Sequence, residues 1–163
     1  MAFCFLAVSC DSLNDDFTET FTFDVKEEAT IKSDTTSRVV APDSSITVYT
    51  FSIQPGDSVV FNYERDVEPP DNVTDAGLVE TLVFQIPQDV NSFELRDEEL
   101  PKANTFYSRG CFCPLSGAGF KVDNGLIQGE MLSANIWFVQ ADVIVKAANR
   151  TFEVQFDGVF RLR

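Results

Sequence analysis

Hydrophobic and polar residues alternate along most of this chain with a period of two. Residues 17–25 read FTETFTFDV, and residues 46–53 read ITVYTFSI. Successive side chains of a β-strand point to opposite faces, so this period is typical of strands with one buried face. No stretch of the chain shows the spacing of a helix. The pattern therefore predicts an all-β protein.

Two turn signals predict local hairpins. Gln54-Pro-Gly-Asp57 places proline and glycine at the central positions of a type II turn, and predicts a hairpin that joins 46–53 to 58–64. Asn124-Gly125 is a strong hairpin signal and predicts that 120–122 pairs with 126–132. The polar stretch 26–45 is interpreted as a loop with a short strand around Arg38–Ala41.

The last strand has the most regular alternation. Between residues 151 and 162, apolar side chains of one parity oppose a polar set on the other face. A slip of one residue would turn the whole apolar set into water, so we expect a firm register and burial of this face. Its members are Phe152, Val154, Phe156, Phe160 and Leu162.

These elements define one domain over residues 17–163. About eight or nine short strands separated by turns are typical of an antiparallel β-sandwich, with a small β-barrel as the alternative. The length suits a single domain, and no internal repeat or linker divides it.

Composition excludes several classes of function. The chain of 163 residues has 12 basic and 26 acidic side chains, a net charge of −14, and no histidine. An acidic chain without a basic face is not expected to bind nucleic acid by itself. Without histidine it has no Ser-His-Asp or Cys-His mechanism, no histidine-dependent zinc site and no blue-copper site.

Cys111-Phe-Cys113 is the most distinctive local motif. In an extended segment, the two thiols lie on the same side of the chain. Three states are open: a short-range disulfide, buried or free thiols, and a metal or redox site. We expect a disulfide and no metal. The chain has no histidine, and its other two cysteines, Cys4 and Cys10, lie in the N-terminal segment interpreted below as a removed leader and a lipidated residue, so the mature chain would have no further ligand to complete a zinc site.

Acidic clusters offer oxygen ligands in two places. Asp66-Val-Glu-Pro-Pro-Asp71 and Asp97-Glu-Glu99 contain candidate ligands for calcium, but neither has the spacing of a known calcium loop. A run of charges is usually a solvated face, and we expect no cofactor here.

The N-terminus carries the one resemblance to a known class. Ala7-Val-Ser-Cys10 follows a short apolar run and resembles the lipobox of bacterial lipoproteins, in which the signal is cut before a cysteine that then receives lipid. No lysine or arginine precedes the apolar run, which departs from that pattern. Cys10 followed by an acidic segment and a Thr- and Phe-rich strand resembles small lipoproteins of the Bacteroidetes phylum. The resemblance implies a signal-peptide remnant at 1–9, a lipid-anchored tether at 10–16, and Cys10 as the lipidated residue.

We expect from this resemblance a protein of the bacterial outer membrane, held by its lipid and either periplasmic or surface-exposed. The expected function is non-enzymatic: a binding or accessory module with a protein partner in the envelope. Two alternatives remain at this point. One is a lipocalin-like carrier of a small apolar ligand, which needs an internal cavity. The other is a structural subunit that assembles by strand addition.

Overall fold

The chain is built from ten β-strands in a computed structural model that describes residues 17–70, 73, 76–113, 115–147 and 150–162. The helical element found among these residues is a short 3₁₀ turn at Asp97–Glu99. The predicted all-β class is confirmed. The strands are β1 (Thr18–Ala41), β2 (Ser44–Pro55), β3 (Ser58–Glu68), β4 (Leu78–Pro87), β5 (Ser92–Arg96), β6 (Phe106–Cys111), β7 (Ala118–Lys121), β8 (Gly125–Ser133), β9 (Ile136–Ala147) and β10 (Arg150–Leu162).

The strands form one continuous sheet that partly closes on itself. Its order is β2-β7-β6-β4-β3-β1-β10-β9-β8-β5, and β2 also pairs with β1. The extra pairing closes a ring of β1, β3, β4, β6, β7 and β2, and β10-β9-β8-β5 extends from β1 as a branch. The fold therefore combines the folded-over sheet of a sandwich with the partial closure of a barrel.

β1 replaces the loop that was expected over 26–45. This strand pairs with β3 through its first half and with β2 through its second half. The Thr-, Ser- and Val-rich sequence suits an extended strand even where it is exposed, since β-branched residues favour that conformation. The interpretation of 26–45 as a loop is therefore wrong, whereas the short strand expected around Arg38–Ala41 is present as the end of β1.

The predicted hairpin around Gln54–Asp57 is also wrong. β2 and β3 do not pair with each other, because both lie in succession along β1. Ala29 of β1 is opposite Pro55 and also opposite Ser58, and Gly56 N–H donates to Glu28 O at 2.9 Å. Proline and glycine produce a bend in an interrupted long strand here, and the bend lets β2 fold over the sheet.

β3, β4 and β6 form a central layer with two buried faces. Phe61 and Phe84 face β8, β9 and β10 in the larger core cluster. Val60, Val83 and Phe106 face the opposite way and are covered by the arm formed by β1 and β2. The uninterrupted apolar runs in β3 and β4 thus reflect burial on both sides.

The Asn124-Gly125 signal does not form a local hairpin. β7 pairs with β6 and β2, whereas β8 pairs with β9 and β5. Gly125 begins β8 with φ of 121°, and its backbone lies against the backbone of Asp142 and Val143 in β9. Glycine is needed here for a close approach of two strands, so the predicted pairing of 120–122 with 126–132 is wrong.

β9 and β10 form a long antiparallel hairpin, paired from Ala147 opposite Arg150 to Ile136 opposite Arg161. The predicted apolar face of β10 is confirmed as the inner face. Val154 and Phe160 are buried, and the other members of the set are half-buried: Phe152, Phe156 and Leu162.

Candidate functional site

The second backbone edge of β10 is open along most of its length. On its other side β10 pairs with β9 throughout, but with β1 it pairs only at Asp24 opposite Arg161 and Val25 opposite Leu162. From Arg150 to Phe160, no described residue forms a ladder with this edge. β1 and β10 run parallel and separate at this point, which leaves an open seam between them.

One hydrogen bond fixes which backbone groups point into the seam. Leu162 N–H donates to Asn135 O at 3.1 Å, on the β9 side of the strand. Backbone groups alternate in direction along a strand, so even-numbered residues of β10 point toward β9. The N–H and C=O groups of the odd-numbered residues Thr151, Glu153, Gln155 and Asp157 therefore point outward.

The inner face holds β10 in place. The Phe152 ring lies 5.7 Å from Tyr107 of β6, and the Phe156 ring stacks at 4.1 Å on Tyr63 of β3. Phe160 meets Phe23 of β1 at 5.3 Å. Because β10 touches three different strands in turn, it lies across the sheet.

A polar network adjoins the Tyr63 and Tyr107 rings that β10 contacts. Arg65 of β3 donates at 2.9 Å to Glu19 of β1 and at 2.9 Å to Glu80 of β4. The Tyr107 hydroxyl donates to Glu80 at 2.6 Å. The hydrogen bond from Arg65 lowers the pKa of Glu19, and burial together with the bond to Glu80 raises the pKa of Tyr107 above its ordinary value. Tyr107 therefore remains a protonated donor, and the network is a fixed polar floor beside the seam.

Arg109 lies beside the same floor. Its guanidinium carbon is 5.0 Å from the centre of the Phe152 ring, a cation–π contact. Its Nε is buried and has no hydrogen-bond partner among the described residues. The seam thus offers backbone donors and acceptors, half-buried aromatic rings and a guanidinium group, a set that suits an extended peptide.

The structure joins Cys111 and Cys113 by a disulfide, with the Cα atoms 5.2 Å apart. This is the first of the three states considered for the pair. The disulfide closes the loop that follows β6, and the intervening Phe112 is 83% exposed. Cys111 N–H donates to Ser116 Oγ at 3.2 Å, which joins the start of this loop to its end.

The remaining predicted site residues do not converge. Cys10 and the segments 1–9 and 10–16 lie outside the described residues, as does Asp71. Asp66 and Glu68 lie at the end of β3. Asp97 lies after β5 and accepts a hydrogen bond from Gly125 N–H at 2.9 Å. Within the described part, no group of three or more acidic or thiol side chains is placed to hold a metal ion.

Two surface clefts have volumes of about 530 Å³ each. One lies near Ser58, Gln85 and Lys102, and the other lies beside Phe112 and Glu68. Inside the folded sheet, the space that a carrier would need is filled by large side chains. These include Phe61, Phe84, Phe106, Tyr107 and Trp137, all nearly inaccessible.

Sequence reasoning did not identify the polar floor. A signal was present, because Arg65 shares its parity with Phe61 and Tyr63, and Glu80 shares its parity with Leu82 and Phe84. A charged residue on the apolar parity at a strand end indicates that the core stops there.

Comparison with known proteins identifies no relative: no family model matches the chain, and neither does any curated protein or solved structure. The described residues contain no helix long and apolar enough to cross a membrane.

Proposed function

We propose that this chain is a non-enzymatic, lipid-anchored binding module of the bacterial envelope whose binding element is the open edge of β10. The observation that carries the proposal is the edge from Arg150 to Phe160, with which no strand of the described part of the chain pairs. An extended polypeptide strand that pairs there would continue the sheet, a recognised mode of peptide binding.

The energetics favour this use of the edge. Each outward residue, such as Glu153 or Gln155, brings one donor and one acceptor, and a backbone hydrogen bond contributes about 0.5–1.5 kcal/mol net. Side chains of alternate residues of the added strand would face the half-buried Phe152 and Phe156 rings and the Arg109 guanidinium. Backbone pairing supplies affinity, and these contacts supply preference.

The edge has only part of the protection that exposed strands commonly carry, because it contains the charged side chains Arg150, Glu153 and Asp157 but neither proline nor lysine. Short length, proline and lysine discourage pairing with another chain. β5 has only five residues, and the second half of β1 carries Lys32. The sequence of 150–158, RTFEVQFDG, contains neither proline nor lysine.

Carriage of a small apolar ligand has weaker support. A carrier encloses its ligand in an apolar cavity, whereas Phe61 and Trp137 fill the interior of the folded sheet. Strand addition needs no cavity.

The anchor is testable by mass spectrometry of the N-terminal peptide from the native host. We expect Cys10 to carry lipid, because it follows the lipobox-like Ala7-Val8-Ser9. An unmodified peptide that begins at Met1 would contradict the anchor while leaving the edge untouched.

Strand uptake is testable by amide hydrogen exchange with a probe peptide of alternating threonine and valine, with a lysine at each end. We expect the peptide to slow exchange at Thr151, Glu153, Gln155 and Asp157. Gln155→Pro is the blocking variant: it removes an outward N–H but no bond to β9, since proline is tolerated on an edge.

The control is the pattern of exchange at even-numbered residues such as Phe156, which should stay slow in both proteins because they pair with β9. No protection of the outward amides at high peptide concentration, or equal protection in Gln155→Pro, would overturn the proposed function.

A further inference from the structure

We infer that the strand received by β10 is β10 of a second copy of this chain, paired antiparallel about a two-fold axis at Val154. The inference rests on the proposed function and names its partner. It follows from the sequence of the open edge together with the length of β10 that is free to pair.

The direction of the backbone groups restricts the register. In an antiparallel ladder, opposed residues are either both hydrogen-bonded or both not. Outward groups belong to the odd-numbered residues, as Leu162 N–H donating to Asn135 O on the opposite side indicates. Odd residues must therefore oppose odd residues, and the axis must pass through a residue rather than between two.

The charged residues of β10 then limit which residue can lie on the two-fold axis. An axis at Glu153 or at Asp157 would oppose that carboxylate to its own copy, and an axis at Gln155 would oppose Glu153 to Asp157. Like charges directly opposite are unfavourable. An axis at Val154 opposes Glu153 to Gln155 and avoids every such pair. An axis at Phe152 avoids them as well, but it would pair only residues 150–154 of β10, so Val154 gives the longer overlap.

The same register completes the apolar face. It places Phe152 of one copy opposite Phe156 of the other, with Val154 opposite its own copy. Phe152 and Phe156 are half-buried in the single chain, and opposed aromatic side chains stabilise a sheet. Centres nearer the end of β10 meet Arg161 and Leu162, where β1 already pairs.

Pairing over Arg150–Gly158 would exchange about eight backbone hydrogen bonds, two for each opposed pair of outward residues. The two branches β10-β9-β8-β5 would then form one continuous sheet across the dimer. The edge that the single chain exposes would be removed by closure about the axis.

Substitution of Gln155 tests the partner and the register together, with sedimentation of the protein over a range of concentrations. The side chain is exposed, so the fold should tolerate the change. Gln155→Lys sets a lysine opposite Glu153 of the other copy twice, and should tighten the dimer about threefold to tenfold. Gln155→Glu sets two carboxylate pairs opposite each other and should loosen it by a similar factor.

Gln155 also lies opposite Asp142 of β9, so thermal melts of dilute samples control for changes within one chain. A wild-type chain that stays monomeric at high concentration overturns the inference, as does a Gln155→Lys variant that dimerises less than Gln155→Glu. If the wild type stays monomeric but the threonine–valine peptide still protects the outward amides, only the second copy is rejected. If neither pairs, the proposed function fails as well.

Discussion

Phe61→Ala is expected to lower the free energy of unfolding by about 3–5 kcal/mol. The Phe61 ring is completely buried and stacks on Phe84 at 4.8 Å. It also meets Trp137 edge-on at 5.4 Å and Phe160 at 5.4 Å, so it joins β3 to both β9 and β10. Truncation would leave a cavity between the two sides of the core, and packed neighbours relax only partly around such a cavity.

Urea denaturation measures this effect, and Phe112→Ala is the matched control. Phe112 is the same residue type but 83% exposed, so its truncation should change the free energy of unfolding by no more than about 0.5 kcal/mol. Equal midpoints for the two variants would show that Phe61 does not hold the two sides of the core together.

Gly125→Ala is expected to cost about 2–5 kcal/mol, from backbone strain and from overpacking together. Gly125 has φ of 121°, which L-residues other than glycine rarely adopt. A Cβ atom at this position would overlap Asp142 O and would lie 2.6 Å from Val143 Cα, both backbone atoms of β9. Backbone atoms cannot turn aside as a side chain can, so β8 and β9 would have to separate.

Gly117→Ala is the control that introduces backbone strain without overlap between the new Cβ atom and neighbouring atoms. Gly117 also has positive φ, at 69°, but apart from its chain neighbours no atom of a described residue lies within 4 Å of the position that a Cβ would take. We expect a loss of about 1–2 kcal/mol, the cost of the left-handed conformation alone. A chemical melt in which both variants lose the same stability would contradict the close approach of β8 to β9.

The buried face of each strand was predictable, because it follows from the alternation of apolar and polar residues within that strand. Trp137 and Val143 on β9, like Val154 and Phe160 on β10, have the parity that the sequence predicts for the core. This parity depends only on the two-residue repeat of a strand, so it is independent of which strands are neighbours.

Strand pairing was less predictable because turn signals are local and pairing is not. Pro55-Gly56 can bend or reverse a chain, and the presence of β1 as a common partner of β2 and β3 determines which occurs. Gly125 likewise allows the backbone of β9 to approach closely, and it does not form a tight turn.

The open edge depends on the same long-range information. The alternation of β10 predicts its buried face but does not reveal where β1 separates from it after Asp24 and Val25. The charged residues Arg65 and Glu80 on the apolar parity are the sequence feature that marks the end of the core.

The most direct test of the open edge is amide hydrogen exchange of β10 in dilute protein without any peptide. If the edge is open, Thr151, Glu153, Gln155 and Asp157 exchange fast, while Phe152, Val154 and Phe156 are protected by β9. Slow exchange at all seven positions in dilute protein would contradict the account, because the edge of β10 would then already be paired.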